Sequence, residues 1–231
     1  MTVTEKLKSL LNKKYISEDG DEYEIELNSG LSDEEIDNLT TNLPTGKIPD
    51  EIKELLKFSR SFEFDPLEEI TFDRINEFGF EEFFPNSALL AGDGFGNFWI
   101  IDIEKDGNWG SVFYVCHDPA VIVKHSENLT QFLEHLDDFG TNNSKSHLDV
   151  IHEKTAFNIW KKDNGFTSIE EAKNSQDLTL KNFAATLPEN FVIADLRNKS
   201  ISNGFAWGKY SPKIQNAKRH ESELIWGIEK R

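Results

Sequence analysis

The 231-residue chain reads as an α+β protein: a mostly antiparallel sheet packed against helices, with a C-terminal α/β extension. Three features of the sequence predict this. Residues 3–56 carry short apolar stripes at helical spacing. Residues 62–124 change to alternation and short apolar runs cut by Gly, Pro, Asn and Asp. Residues 126–139 return to helical spacing.

Taken in order, Val3, Leu7, Leu10 and Leu11 predict one face of a first helix. Ser32 and Glu35 are spaced as a capping box, which opens a second helix with Ile36, Leu39 and Leu43 on one side, ended by Pro44. A third opens near Pro49, where the missing amide would have had no partner anyway, and buries Ile52, Leu55 and Leu56. Phe62, Phe64, Ile70 and Phe72 alternate with polar residues and predict half-buried strands around Asp65-Pro66. Further strands are expected at 88–91, 97–103, 111–116 and 120–124, with turns at Gly92–Gly96 and Asp106–Gly110. A closing helix follows, with Leu129, Phe132, Leu133 and Leu136 inward. Gly140-Thr141-Asn142-Asn143-Ser144 reads as a linker. Beyond it, 147–163 reads as a helix with Ile151, Thr155, Ile159 and Trp160 inward, and Ser168 with Glu171 forms a second capping box. Another helix ends between Phe183 and Pro188. Strands are expected at 191–195, 204–207 and 223–228, with Trp207 and Trp226 packing.

The net charge is −17 and is unevenly placed: residues 1–150 hold 32 Asp and Glu against 12 Lys and Arg, residues 151–231 hold 10 against 13. Nucleic acid binding needs a positive surface that releases counterions, so the acidic part is a poor match for it. It favours a basic protein partner instead, and speeds encounter with it. No apolar run reaches membrane-spanning length, the first residues lack a secretory signal pattern, and the single Cys116 excludes an internal disulfide framework; a cytoplasmic protein is expected.

Chemistry-bearing residues are few. Asp93-Gly94-Phe95-Gly96-Asn97 has the glycines of an anion or metal loop, but a strand follows it where a dinucleotide fingerprint needs a helix, and it holds too few oxygen ligands for calcium. A tight turn explains it better. Cys116-His117-Asp118 offers a thiol and an imidazole, yet neighbours on a strand point to opposite faces, which separates the pair. His147 and His152 are five apart, the wrong spacing for two ligands on one helical face, and His125 and His135 have no partner by spacing. No catalytic, cofactor-binding or metal-binding residue is assigned.

The order of motifs resembles the Smi/Knr branch of the SUKH superfamily. The residues that carry the resemblance are Ser29-Gly30-Leu31-Ser32 through Ile36, Leu43-Pro44 with Ile48-Pro49, Phe83-Phe84-Pro85-Asn86-Ser87, Gly92 through Trp99, Val112 through Pro119, and Leu129 to Leu133. The match runs from about residue 30 to 137 and divides the chain into a SUKH-like domain, 1–140, and an extension of unassigned role, 141–231. The resemblance implies an α+β fold and, for bacterial members, a non-enzymatic immunity protein that binds and neutralises a toxin of a polymorphic or contact-dependent system. The other expectation is a protein-interaction scaffold or adaptor without a toxin partner; a third, an enzyme or ligand-binding protein, would centre on Asp93 to Asp118. Gly92, Gly94, Gly96, Asn97, Phe98, Trp99, His117 and Pro119 are read as the fold signature. Acidic residues near turns, Glu81, Glu82, Asp93, Asp106 and Asp118, are the candidate contacts for a basic toxin domain.

Overall fold

The computed structural model describes residues 1–17, 19–142, 146–162, 165–210 and 217–230. Helix α1 (Val3–Leu10) is opened by a Thr2–Glu5 capping box. Strands β1 (Tyr15–Ile16) and β2 (Glu22–Tyr23) form a small ribbon, and β3 (Glu26–Leu27) precedes α2 (Asp33–Thr40). The Ser32 hydroxyl accepts from Glu35 N at 3.3 Å and the Glu35 carboxylate accepts from Ser32 N at 2.8 Å, the reciprocal pair that the spacing predicts. Helix α3 (Asp50–Phe58) starts just after Pro49 and buries Ile52, Leu55 and Leu56. Strands β4 (Ser61–Phe64) and β5 (Glu68–Thr71) pair with β3 in the order β3-β4-β5.

The central sheet follows. Strands β6 (Arg74–Ile75), β7 (Ser87–Gly92), β8 (Phe98–Ile103), β9 (Trp109–His117) and β10 (Ala120–Ser126) form an antiparallel meander, closed by α4 (Leu129–Asn142). The helix runs through Gly140 to Asn142, so that three of the five residues of the expected linker are helical; residues 143 and 144 lie outside the described residues. Gly140 is needed there because a Cβ would lie 2.4 Å from Cδ1 of Tyr15, which packs on the helix.

In the C-terminal part, residues 151–156 wind as a π-helix into α5 (Phe157–Lys162). The wider turn moves the buried face from the expected Thr155 to Ala156, beside Ile151 and Ile159. Then come β11 (Phe166–Ser168), α6 (Ile169–Lys173), α7 (Leu178–Ala185), β12 (Phe191–Asp195), β13 (Gly204–Phe205), β14 (Ala217–Arg219) and β15 (Ile225–Glu229). The Ser168–Glu171 capping box forms as expected, while β11 and β14 were not anticipated from the sequence. Strands β11-β12-β15-β14 make a second sheet, and β13 joins the edge of the first beside β10. That edge pairing depends on Gly204, where a Cβ would fall 2.0 Å from the Ile122 carbonyl oxygen.

The central sheet is buried on both faces, which explains why its strands read as continuous apolar runs. Ile101, Val112, Tyr114, Cys116, Val121 and Val123 face α1, α3 and α4. Ile100, Phe113, Val115 and Ile122 face the second sheet and its flanks, among them Phe205, Trp207 and Trp226. The outer face of the second sheet is covered by α6 and α7 through Ile169, Phe183 and Leu187. The chain therefore stacks as helices, sheet, sheet, helices.

Candidate functional site

Alternate hairpin turns of a meander fall at opposite ends of the sheet. The β7–β8 turn and the β9–β10 turn therefore lie together, and Asn97 ties them. Its Oδ1 accepts from His117 N at 3.0 Å and from His117 Nδ1 at 3.0 Å, and its Nδ2 donates to Asp93 Oδ2 at 2.6 Å. An amide oxygen only accepts, so His117 Nδ1 carries the proton. Asp93 also accepts from Phe95 N at 2.9 Å, Asn97 N at 3.1 Å and Tyr114 Oη at 3.3 Å. Gly94 and Gly96 take φ of +74° and +88°, the left-handed backbone that this tight turn demands. Phe98 packs on Phe78, Trp99 on Tyr114, and Pro119 is buried. Asp93 and His117 thus meet through one amide, but every hydrogen bond of the group closes within it. Cys116 lies in the helix-side core while His117 is exposed on the other side of the strand. Burial pushes the Cys116 thiol up to about 11. This arrangement holds the fold and offers no activated nucleophile.

The five acidic candidates do not share one surface. Asp93 and Asp118 stand at the end just described, with Phe95, 82% exposed, in the β7–β8 turn beside Asp93. Asp106 lies at the opposite end, its carboxylate accepting from Asn108 N at 3.0 Å and Nδ2 at 2.7 Å. Glu81 and Glu82 sit in the turn ahead of Phe83, the first exposed and the second half-buried.

A denser acidic surface lies on the β3-β4-β5 sheet, and reading turns alone passed over it. Glu26 pairs with Glu63, and Glu63 with Glu69, so three carboxylates stand in a row across three strands. Leu27, Phe62 and Ile70 form the matching row on the core side. With Glu24, Asp65 and Glu68 the row lines one open groove, beside Tyr23 and Asn28. Like charges directly opposite on a sheet destabilise it, so the arrangement carries a cost that a cationic partner would relieve. Its signal was the period-2 spacing of acids in Glu24-x-Glu26 and Glu63-x-Asp65.

The histidines are also redistributed by the fold. His147 and His152 take separate partners, the carbonyl oxygens of His125 and Asp118. His125 and His135, without a partner by sequence spacing, meet each other and His147 in one cluster.

No helix among the described residues is long and apolar enough to cross a membrane. Comparison with curated proteins and with solved structures found no match. Among protein families, residues 30–135 match the SMI1 / KNR4 family (SUKH-1), which covers α2 through the first half of α4 and so contains the meander and its Asn97 tie. Through this central stretch, a little under half of its length, the chain is similar to the SMI1 / KNR4 family of the SUKH superfamily.

Proposed function

We propose that the chain is a non-enzymatic immunity protein that binds and neutralises a basic toxin domain, encoded as part of a polymorphic or contact-dependent toxin system. The observation that carries this reading is the family domain itself, since SUKH domains are generally immunity proteins for toxin systems. The Glu26–Glu63–Glu69 row supports a cationic partner: it gathers negative charge on one sheet face, and none of these three carboxylates is in an ion pair among the described residues. Asp93 and Asp106 are occupied by their own turns, which leaves Asp118, Phe95, Glu81 and Glu82 as secondary contacts.

Co-expression with the product of the neighbouring toxin gene tests the reading, scored as survival and co-purification. Reversing Glu26, Glu63 and Glu69 to Lys together is expected to slow association about tenfold or more at low salt, and less at high salt. Wild-type association by the triple variant would remove this face. Co-purification without protection would favour the adaptor reading.

A further inference from the structure

Three imidazoles from separate stretches of chain converge behind the central sheet: His125 on β10, His135 on α4 and His147 in the turn before residues 151–156. Each ring offers one nitrogen, and these atoms all lie within 4.8 Å of one another. Ring centroids are 5.0 Å apart for His125 and His135, and 4.7 Å from His147 to either. His125 is completely buried, and its Nε2 has no hydrogen-bond partner among the described residues. Such a nitrogen is costly in a core unless something takes its lone pair or proton.

The remaining contacts hold the rings as metal ligands are held. Ser126 Oγ lies 2.8 Å from His125 Nδ1 and 3.1 Å from His135 Nδ1. His147 Nε2 is 3.2 Å from the His125 carbonyl oxygen. That oxygen only accepts, so His147 Nε2 carries the proton and its Nδ1 presents a lone pair. Ligating histidines are oriented in this way, one nitrogen to the ion and the other to an oxygen. Burial pushes all three rings below the usual histidine range, His135 to about 4, so they stand together uncharged at neutral pH.

We infer that His125, His135 and His147 form a binding site for a divalent transition ion of the zinc class, which fastens the chain beyond α4 to the family domain. Three neutral imidazoles without a thiolate suit zinc or a similar borderline ion, with water completing a tetrahedron. Zinc–nitrogen bonds of about 2.1 Å place neighbouring ligand atoms roughly 3.4 Å apart, so the cluster has to contract by up to about 1.4 Å. His147, on a turn, and His135, half-buried, can supply that movement by side-chain rotation.

The test uses the full, tag-free chain after treatment with a chelator. Titration with Co²⁺ is expected to give visible d–d bands that saturate at one equivalent and are lost on adding Zn²⁺. Zn²⁺ is expected to raise the melting temperature of the wild type but not of a His135→Gln/His147→Gln double variant, while His152→Gln behaves as the wild type. Each single variant should bind at least about tenfold more weakly. Both substituted rings are partly exposed, so near-UV circular dichroism can confirm that the variants fold before binding is read. No cobalt band in the wild type, or undiminished binding by the folded double variant, would overturn the inference.

Discussion

At the scale of single residues, Asn97 carries more of the fold than its size suggests. It is 2% exposed, and it joins two hairpin turns by hydrogen bonds from both ends of its amide. Asn97→Ala leaves His117 N and the Asp93 carboxylate each short of a partner, and about 2 kcal/mol of stability should be lost in urea unfolding. Asn97→Asp should cost more, because it sets a second carboxylate where an amide now touches Asp93 at 2.6 Å. A loss no larger than for alanine would show that the tie is dispensable. Cys116 makes an independent prediction. With its thiol held at about 11 by burial, roughly one molecule in a thousand is thiolate at pH 8. A disulfide reagent should leave the native chain unmodified and titrate one thiol after unfolding; rapid native modification would contradict the burial.

At the scale of elements, the β3-β4-β5 sheet sets stability against binding. Glu63 has a glutamate directly opposite on each side, so Glu63→Gln removes two like-charge pairs without changing shape. The variant should be more stable by about 0.5 kcal/mol at low salt, the gain shrinking as salt is added, and should associate with the toxin more slowly. A variant that is less stable at every salt concentration would show that the row is not repulsive. The same sheet marks the limit of what the sequence reveals. Phe62, Phe64 and Ile70 announce their strands by alternation, and Ser32 with Glu35 announces a helix start, because these signals are local. Which glutamates become neighbours depends on strand register, a product of tertiary pairing that no spacing along the chain records. His125, His135 and His147 were hidden for the same reason, being joined by a strand, a helix and a turn. Residues 151–156 hid for another: a single π-turn changes the helical period, so Ala156 replaces Thr155 on the inner face.

At the scale of the whole molecule, the central sheet has two buried faces: the helix-side face packs mostly on residues before 143, whereas the other is covered by Phe83 and Phe84 together with residues after 190. That second face is closed by Phe205, Trp207 and Trp226, and by a charge pair that crosses between the sheets. Arg219 donates to both oxygens of Asp102 at 2.5 and 2.6 Å, with side chains 8% and 1% exposed. It also reaches the Phe83 carbonyl at 3.3 Å, where Trp226 Nε1 donates at 2.8 Å. Arg219→Ala should cost about 3–5 kcal/mol, because it strands a buried carboxylate; replacing both partners by apolar residues of similar volume should cost far less. The family match, ending at residue 135, invites the view that the remainder is an appendage. The burial pattern argues against independence. Cut after residue 142, the chain would expose Phe84, Ile100, Phe113, Val115 and Ile122 as one apolar face and leave the β10 edge unpaired along Ile122 and Val123. A patch of that kind on an open sheet is an aggregation site. The 1–142 fragment is therefore expected to be insoluble or to lack near-UV dichroism, and the full chain to unfold in one transition reported alike by tryptophan fluorescence and far-UV dichroism. A soluble, cooperatively folding 1–142 monomer would instead show that the helix-side core alone suffices, and would return the C-terminal sheet to the status of a separable domain.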